Sequence, residues 1–487
     1  MKKIFSILTI GSLTVLTGCV NGDEDFNNNQ SQPYVVSAEV LFTNAQKELT
    51  DQMITPSVNL NVFRFMQHYL ASTTYRNDAR FIFTGTRRVP DNMWLALYTD
   101  VLGNLDEAKR EINKETKPAT LTDQAWQKQQ ANKLAIVNLV EIYTYQVLVD
   151  SFGNVPYSQA SKPETIVLPK YDDAKTIYED LISRLNVIVS TLDSAYPSFT
   201  SGDNFYNGNV NSWITFANSL KLKIGINLAD VNPTLAKQTV ESAANAGVIT
   251  ANSNNTLFQY DSTSPNFNRI YAEVIASGRQ DFIAEEGIVN SMNSLNDPRR
   301  GSYFEAMSDG TYVGGVVGLS NIYDENSSIG KDLLSPNEPG VLFDAAEINF
   351  YLAEGAARGY SLANSAQVYY ENAIKASMQY WGINSADTTT YLTNPNVAYS
   401  AANWKQRIGE QAWIAMYNRG FESWNFFRRL DYPALTAPNA TAAADGKVPT
   451  RLTYPINEQT VNGANWTSAS SAIGGDKLTT KLFWDIN

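Results

Sequence analysis

His68 is the only histidine of the 487-residue chain and Cys19 the only cysteine. Histidine–cysteine metal clusters and Cys-His dyads therefore have almost no material to draw on. A Ser-His-acid triad would need His68, which lies in Phe63-Arg64-Phe65-Met66-Gln67-His68-Tyr69-Leu70, a helix-like run, and no nucleophile-elbow sequence occurs anywhere. Hydrolysis of a glycosidic bond needs only two carboxylates about 5–10 Å apart, and Glu285, Glu286, Asp281 or Asp324 could supply them. With 49 acidic residues, such neighbours arise by chance, and the chain is expected not to be an enzyme and to need no cofactor; no residue stands out as a metal ligand, which leaves a structural metal ion open.

Binding chemistry has richer material. Aromatic faces pack against the C–H face of a pyranose, while Asn, Asp and Arg satisfy hydroxyl groups. Tyr75, Arg76, Asn77, Asp78, Arg80 and Phe81 cluster in one segment, and Phe267, Arg279, Tyr303, Tyr312 and Tyr323 occupy two others. These residues are the expected ligand contacts. Arg76, Arg80, Arg87 and Arg88 stand out in an acidic chain and suit an anionic glycan or a peptide terminus. Equally, they can pair with Asp78 and Asp91 or meet a partner protein.

The elements that must hold these residues are mainly helices. Trp126 to Asp150 is apolar on nearly every side around Ala135–Val149, which marks a helix buried in a larger helical protein. Apolar three- and four-residue spacing predicts further helices at 38–51, 59–74, 91–112, 172–194, 211–229, 234–246, 281–293, 342–358, 363–380 and 403–418. Long loops at 75–92, 251–280 and 300–340 carry the aromatic candidates, and loops of more than ~12–15 residues in a compact domain usually have a function. Ala366-x3-Tyr370-x2-Ala373 resembles the second helix of a tetratricopeptide repeat, and Ala174-x3-Tyr178 shows part of that pattern.

The formal net charge of −12 makes nucleic acid an unsuitable partner. Lys2 and Lys3, the apolar stretch Ile4–Leu16 and small Gly18 have the layout of a secretory signal peptide, too short to span a bilayer. Leu16-Thr17-Gly18-Cys19 resembles the lipobox of bacterial lipoproteins. That resemblance implies cleavage after residue 18 and acylation of Cys19, which would anchor the chain by lipid. Asp23-Glu24-Asp25 resembles a surface-export signal, and residues 19–35 read as a polar tether.

Asp150-Ser151-Phe152-Gly153-Asn154-Val155-Pro156-Tyr157 resembles a turn of the SusD/RagB nutrient-binding outer-membrane lipoproteins. Further matches follow in order: Pro169-Lys170-Tyr171-Asp172, Trp213-x2-Phe216-Ala217-Asn218, Leu295-Asn296-Asp297-Pro298-Arg299 and Glu347-x2-Phe350-x2-Ala353-Glu354-x3-Arg358. Pro449-Thr450-Arg451 to Tyr454, Gly474-Gly475-Asp476-Lys477 and Phe483-Trp484-Asp485 complete the set. Read physically, these motifs belong to the scaffold: Gly153 and Pro156 punctuate a helix end, and Glu354 with Arg358 is an i,i+4 pair.

The resemblance covers residues 36–487, expected as one domain whose ligand portion is 75–92 and 251–340. It implies a mainly α fold of four tetratricopeptide-like hairpins with an irregular ligand-binding portion. It further implies an outer-membrane lipoprotein facing the cell exterior, a lid over a TonB-dependent SusC-like barrel, capturing an oligosaccharide or a peptide for import. A gating subunit with little ligand affinity of its own is the other open reading.

Overall fold

The computed structural model describes residues 36–162 and 164–486. Cys19, the expected signal peptide and the expected tether lie outside the described residues. Ala38–Asn487 forms one compact unit.

The fold is mainly helical. The first helix, α1 (Ala38–Ile54), packs on a long rod made of α2 (Val89–Leu95), a π-helical segment (Ala96–Leu102) and α3 (Gly103–Lys114). The buried rod α4 (Asp123–Phe152) pairs with α5 (Ala174–Thr191), and α6 (Val210–Asn227) with α7 (Pro233–Ala246). Later in the chain come α8 (Glu286–Leu295), the tight pair α9 (Ala345–Ala357) and α10 (Ala366–Tyr380), and the pair α11 (Trp404–Ala415) and α12 (Gly420–Leu430). The starts follow the local chemistry. Asp173, Asn209, Asp344 and Ser365 each accept a backbone N–H in the first turn of α5, α6, α9 and α10, which satisfies a donor that has no partner inside the helix.

The tetratricopeptide-like expectation for Tyr370 and Ala373 coincides with full burial of both residues between α9 and α10. In the α6/α7 pair the close approach falls on Gly225, where an added Cβ would stand 2.8 Å from Thr239 Cγ2.

Among the described residues, four short strands form two antiparallel pairs. β1 (Leu70–Ser72) pairs with β3 (Phe282–Ala284), with Leu70 opposite Ala284 and Ser72 opposite Phe282. β2 (Thr256–Phe258) pairs with β4 (Gly340–Phe343). Three expected helices are corrected here. The 59–74 segment holds a one-turn helix, Phe63–Met66, capped at Gln67 and followed by His68, whose φ of 54° is left-handed, before the chain becomes β1. The 281–293 segment opens as β3 and the 342–358 segment as the end of β4. Short, wholly buried apolar runs carry no periodicity that separates strand from helix.

Two apolar cores result. The larger joins the helical pairs around Trp213, Trp424 and Trp484. The smaller contains Phe65, Tyr69, Leu70, Ala284, Ile288, Tyr303, Trp381, Trp413 and Tyr417, and it carries the β1/β3 pair. The loop-rich portion thus stands on a core of its own.

Candidate ligand-binding site

The outer end of the β1/β3 pair opens into a pocket of about 120 Å³, lined by the 57–59 turn, Ser72, Tyr75, Asp78, Arg87, Glu273, Arg279, Asp281 and Phe282. β1 leads directly into the one-turn helix Arg76–Ala79, which turns the buried carboxylate of Asp78 inward. The other strand delivers Arg279 and Asp281 from its start. Thr73 Oγ1 donates to Gln280 O at 2.6 Å and Thr73 N to Asp281 O at 3.1 Å, continuing the pairing beyond the strands.

Tyr75 is 49% exposed. The guanidinium carbons of Arg87 and Arg279 lie 5.2 and 5.5 Å from its ring centroid, close enough for cation–π attraction. Each arginine also has a carboxylate: Arg87 Nε meets Asp78 Oδ1 at 2.9 Å and Arg279 Nε meets Asp281 Oδ2 at 2.5 Å. Burial pushes Asp78 up to about 6, with Arg87 opposing the shift. The pocket's positive charge is compensated within the chain, and Glu273 adds a further acid.

A glycine-lined loop closes over the far edge of β3. Gly315 N donates to Ala284 O and Glu286 N to Gly315 O, both at 2.9 Å, while Ala284 N donates to Ser327 O at 2.8 Å. A Cβ on Gly315 would stand 2.4 Å from Ile283 Cδ1, and one on Gly314 would stand 2.5 Å from the Glu285 backbone. Only glycine lets this loop approach so closely. Beneath it, His68 Nδ1 and Glu285 Oε1 are 3.7 Å apart, within range of an ion pair but beyond a hydrogen bond. Burial keeps both neutral, holding His68 down to about 4 and pushing Glu285 up to about 8. Glu285 Oε2 accepts from Gly287 N at 2.6 Å and Ile288 N at 3.3 Å. It caps α8, so this carboxyl has a structural task. His68, Phe81 and Arg88 all hold left-handed φ values between 49° and 60°, and such strain gathers at functional sites.

Of the residues expected from sequence, Tyr75, Asp78 and Arg279 meet in the pocket. Two expected platforms are corrected. Tyr303 is fully buried, stacked on Tyr417 at 4.4 Å with its hydroxyl donating to Ile414 O, and Phe81 is 1% exposed beside Phe83. Neither can offer a face to a ligand. Arg76 and Asn77 are exposed but point to no lining position. Arg80 donates to Asn439 O, Phe267 packs on Tyr271, Tyr312 lies under Arg300 and Tyr323 sits half-buried in a separate turn. Arg87, expected in the arginine cluster as a partner for an anionic ligand or for Asp78 and Asp91, also lines the pocket, as do Ser57 and Asn59, which nothing local marks because their turn lines a pocket built by distant strands.

A family model described as "Starch-binding associating with outer membrane" matches residues 28–455. The chain belongs to the SusD-like family. Solved structures agree with this SusD-like fold. A structure titled "chitin-binding protein" is 25% identical, with a TM-score of 0.79 over 93% of this chain and 100% of that one. A chitin-binding SusD homolog from Flavobacterium johnsoniae is 24% identical, TM-score 0.77, covering 92% and 99%. A SusD homolog from Bacteroides uniformis is 24% identical, TM-score 0.75, also covering 92% and 99%. No curated protein matches the sequence. Among the described residues no helix is long and apolar enough to cross a membrane.

Proposed function

We propose that this SusD-like chain is a cell-surface lipoprotein that captures an oligosaccharide at the Tyr75 pocket for import through a SusC-like, TonB-dependent outer-membrane barrel. The observation that carries the glycan reading is the family match across residues 28–455, whose description names starch binding and the outer membrane. The similar structures titled as chitin-binding point to the same ligand class. The chain binds and releases its ligand without chemistry.

The pocket's charge balance favours a neutral glycan over an anionic one. Arg87 and Arg279 are each engaged by a carboxylate, so a charged ligand would have to break an existing pair. In this reading Cys19 carries the lipid, residues 19–35 are the tether and residues 36–487 move as the lid. Leu319 and Ile322 are exposed apolar residues on the 300–340 loop, suitable for contact with the barrel.

Calorimetry with the chain and chito- or malto-oligosaccharides tests the capture role. Binding by the isolated chain, weakened about tenfold or more in Tyr75→Ala, a loss of ~1.4 kcal/mol, is expected. Affinity that emerges only when the barrel is present would replace capture by gating.

A further inference from the structure

A second cavity, of about 590 Å³, lies between the π-helical segment Ala96–Leu102 and the loop that follows α4. It shares no lining residue with the Tyr75 pocket, and its volume falls within the range of small-molecule sites. We propose that it is a separate subsite for a neutral oligosaccharide.

The cavity's aromatic wall is rigidly held. Trp94 and Tyr98 have ring centroids 4.9 Å apart, and Trp94 packs edge-on against Phe152 at 5.1 Å. Tyr98 Oη donates to Pro156 O at 2.6 Å, which fixes its ring against the turn after α4. That turn is the Gly153–Tyr157 motif, and Pro156 itself lines the cavity. The π-helical turns add a residue relative to α-helical geometry, and such bulges recur at functional sites. Here they set where Tyr98 and Thr99 fall relative to Trp94.

The polar rim favours a neutral ligand. Asp106 is paired with Lys109 at 2.7 Å, Arg110 with Glu107 at 2.5 Å, and Lys162 Nζ donates to Ser158 O at 2.9 Å. Asp106 and Arg110 are thus held in ion pairs, and the Glu458 carboxylate accepts from Tyr171 Oη at 2.7 Å and Asn462 Nδ2 at 3.2 Å. In contrast, the indole N–H of Trp94, the hydroxyl of Thr99 and the amide N–H2 of Gln159 have no protein partner among the described residues. Aromatic faces beside unengaged neutral donors suit the C–H faces and hydroxyls of a sugar chain. Lys162 and Glu458, a cation and a carboxylate on the same lining, offset each other in charge, so the cavity presents no net charge to an ionic ligand.

The test uses the full chain, with the chitin hexamer and maltoheptaose as probes. The indole N–H resonance of Trp94, assigned through Trp94→Phe, is followed by NMR. At least one probe is expected to shift that resonance, to do so equally in Tyr75→Ala, and to lose about tenfold in affinity in Thr99→Trp, which fills the cavity from an exposed position. Gln159→Ala is expected to weaken the same shift while leaving the fold intact. No response of Trp94 to either probe in the unaltered chain overturns the proposal. So does an equal response in folded Thr99→Trp, or a response to peptides but not to sugars. Loss of all binding in Tyr75→Ala with Thr99→Trp unaffected would overturn this subsite and leave the Tyr75 pocket standing.

Discussion

Arg87 and Asp78 show how one ion pair shapes the candidate site. Asp78 is buried, and burial raises its folded pKa to about 6 from the usual carboxylate value, so its contribution to stability is lost as pH rises through 6. Arg87 limits that loss. Replacing Arg87 by Gln should therefore cost little at pH 5, when Asp78 is protonated, and roughly 1–3 kcal/mol at pH 8, when a buried carboxylate lacks its partner. Denaturant unfolding at both pH values checks this, and an equal deficit at each would refute it. Glu285 obeys the same sign. Its folded pKa of about 8 lies above the unfolded one, so its stabilising share is complete at low pH and lost as pH rises through 8. Glu285→Gln keeps an acceptor for Gly287 N and stays neutral, so its Tm should gain on the parent between pH 6 and 9. His68, held down to about 4, works on the opposite side: its share is lost as pH falls below 6.5 toward 4. At this scale one alternative for the four arginines of the 76–88 cluster was pairing with Asp78 and Asp91, and two of them do so, Arg87 with Asp78 and Arg88 with Asp91. Nothing in residue type revealed that Tyr303 would be buried while Tyr75 stays exposed, because both are tyrosines in aromatic, glycine-rich loops.

Between elements, the determining contacts are close approaches and paired buried charge. Gly225 lets α6 and α7 meet, with Thr239 atoms 2.8–3.0 Å from the position of an added Cβ. Gly225→Val should overpack that seam and cost about 1–3 kcal/mol, read as a lower midpoint in urea; an unchanged midpoint would show that the pair can move apart freely. Nearby, Lys223 of α6, fully buried, pairs with Glu422 of α12 and lies 3.4 Å from Glu347 of α9, while Arg419 meets Glu347 at 2.7 Å. Arg419 Nη1 also lies 3.4 Å from Asp344 Oδ2, so two cations face three carboxylates, and burial pushes Glu422 up to about 7; mutual pairing is what lets such a network withstand desolvation. Helix positions were readable from three- and four-residue apolar spacing. The β1/β3 pair was not, since each strand is only three residues long and its partner lies more than two hundred residues away.

Over the whole molecule, the C-terminal motif closes the helical core. Trp484 Nε1 donates to Asp150 Oδ1 at 3.0 Å, and Arg428 lies between the rings of Trp424 and Trp484 while donating to Asp150 O. Trp484→Ala should cost about 3–5 kcal/mol, the usual range for removing a buried aromatic, and lower Tm without altering which sugar is bound. A variant with unchanged Tm would show that the terminus is only laid on the surface. The ordered motifs from Gly153 to Asp485 were enough to identify the family and a mainly α fold, because they are helix ends, caps, ion pairs and buried helix faces that recur wherever the same helices pack together. Helical periodicity and capping are written within a dozen neighbouring residues, so the amino-acid sequence alone determined them. The pocket, in contrast, joins residues 57–59, 72–87 and 273–282. Only the tertiary structure decided which of the loop aromatics face solvent and which arginines are already engaged, because burial and ion pairing depend on segments that are close in space and remote along the chain.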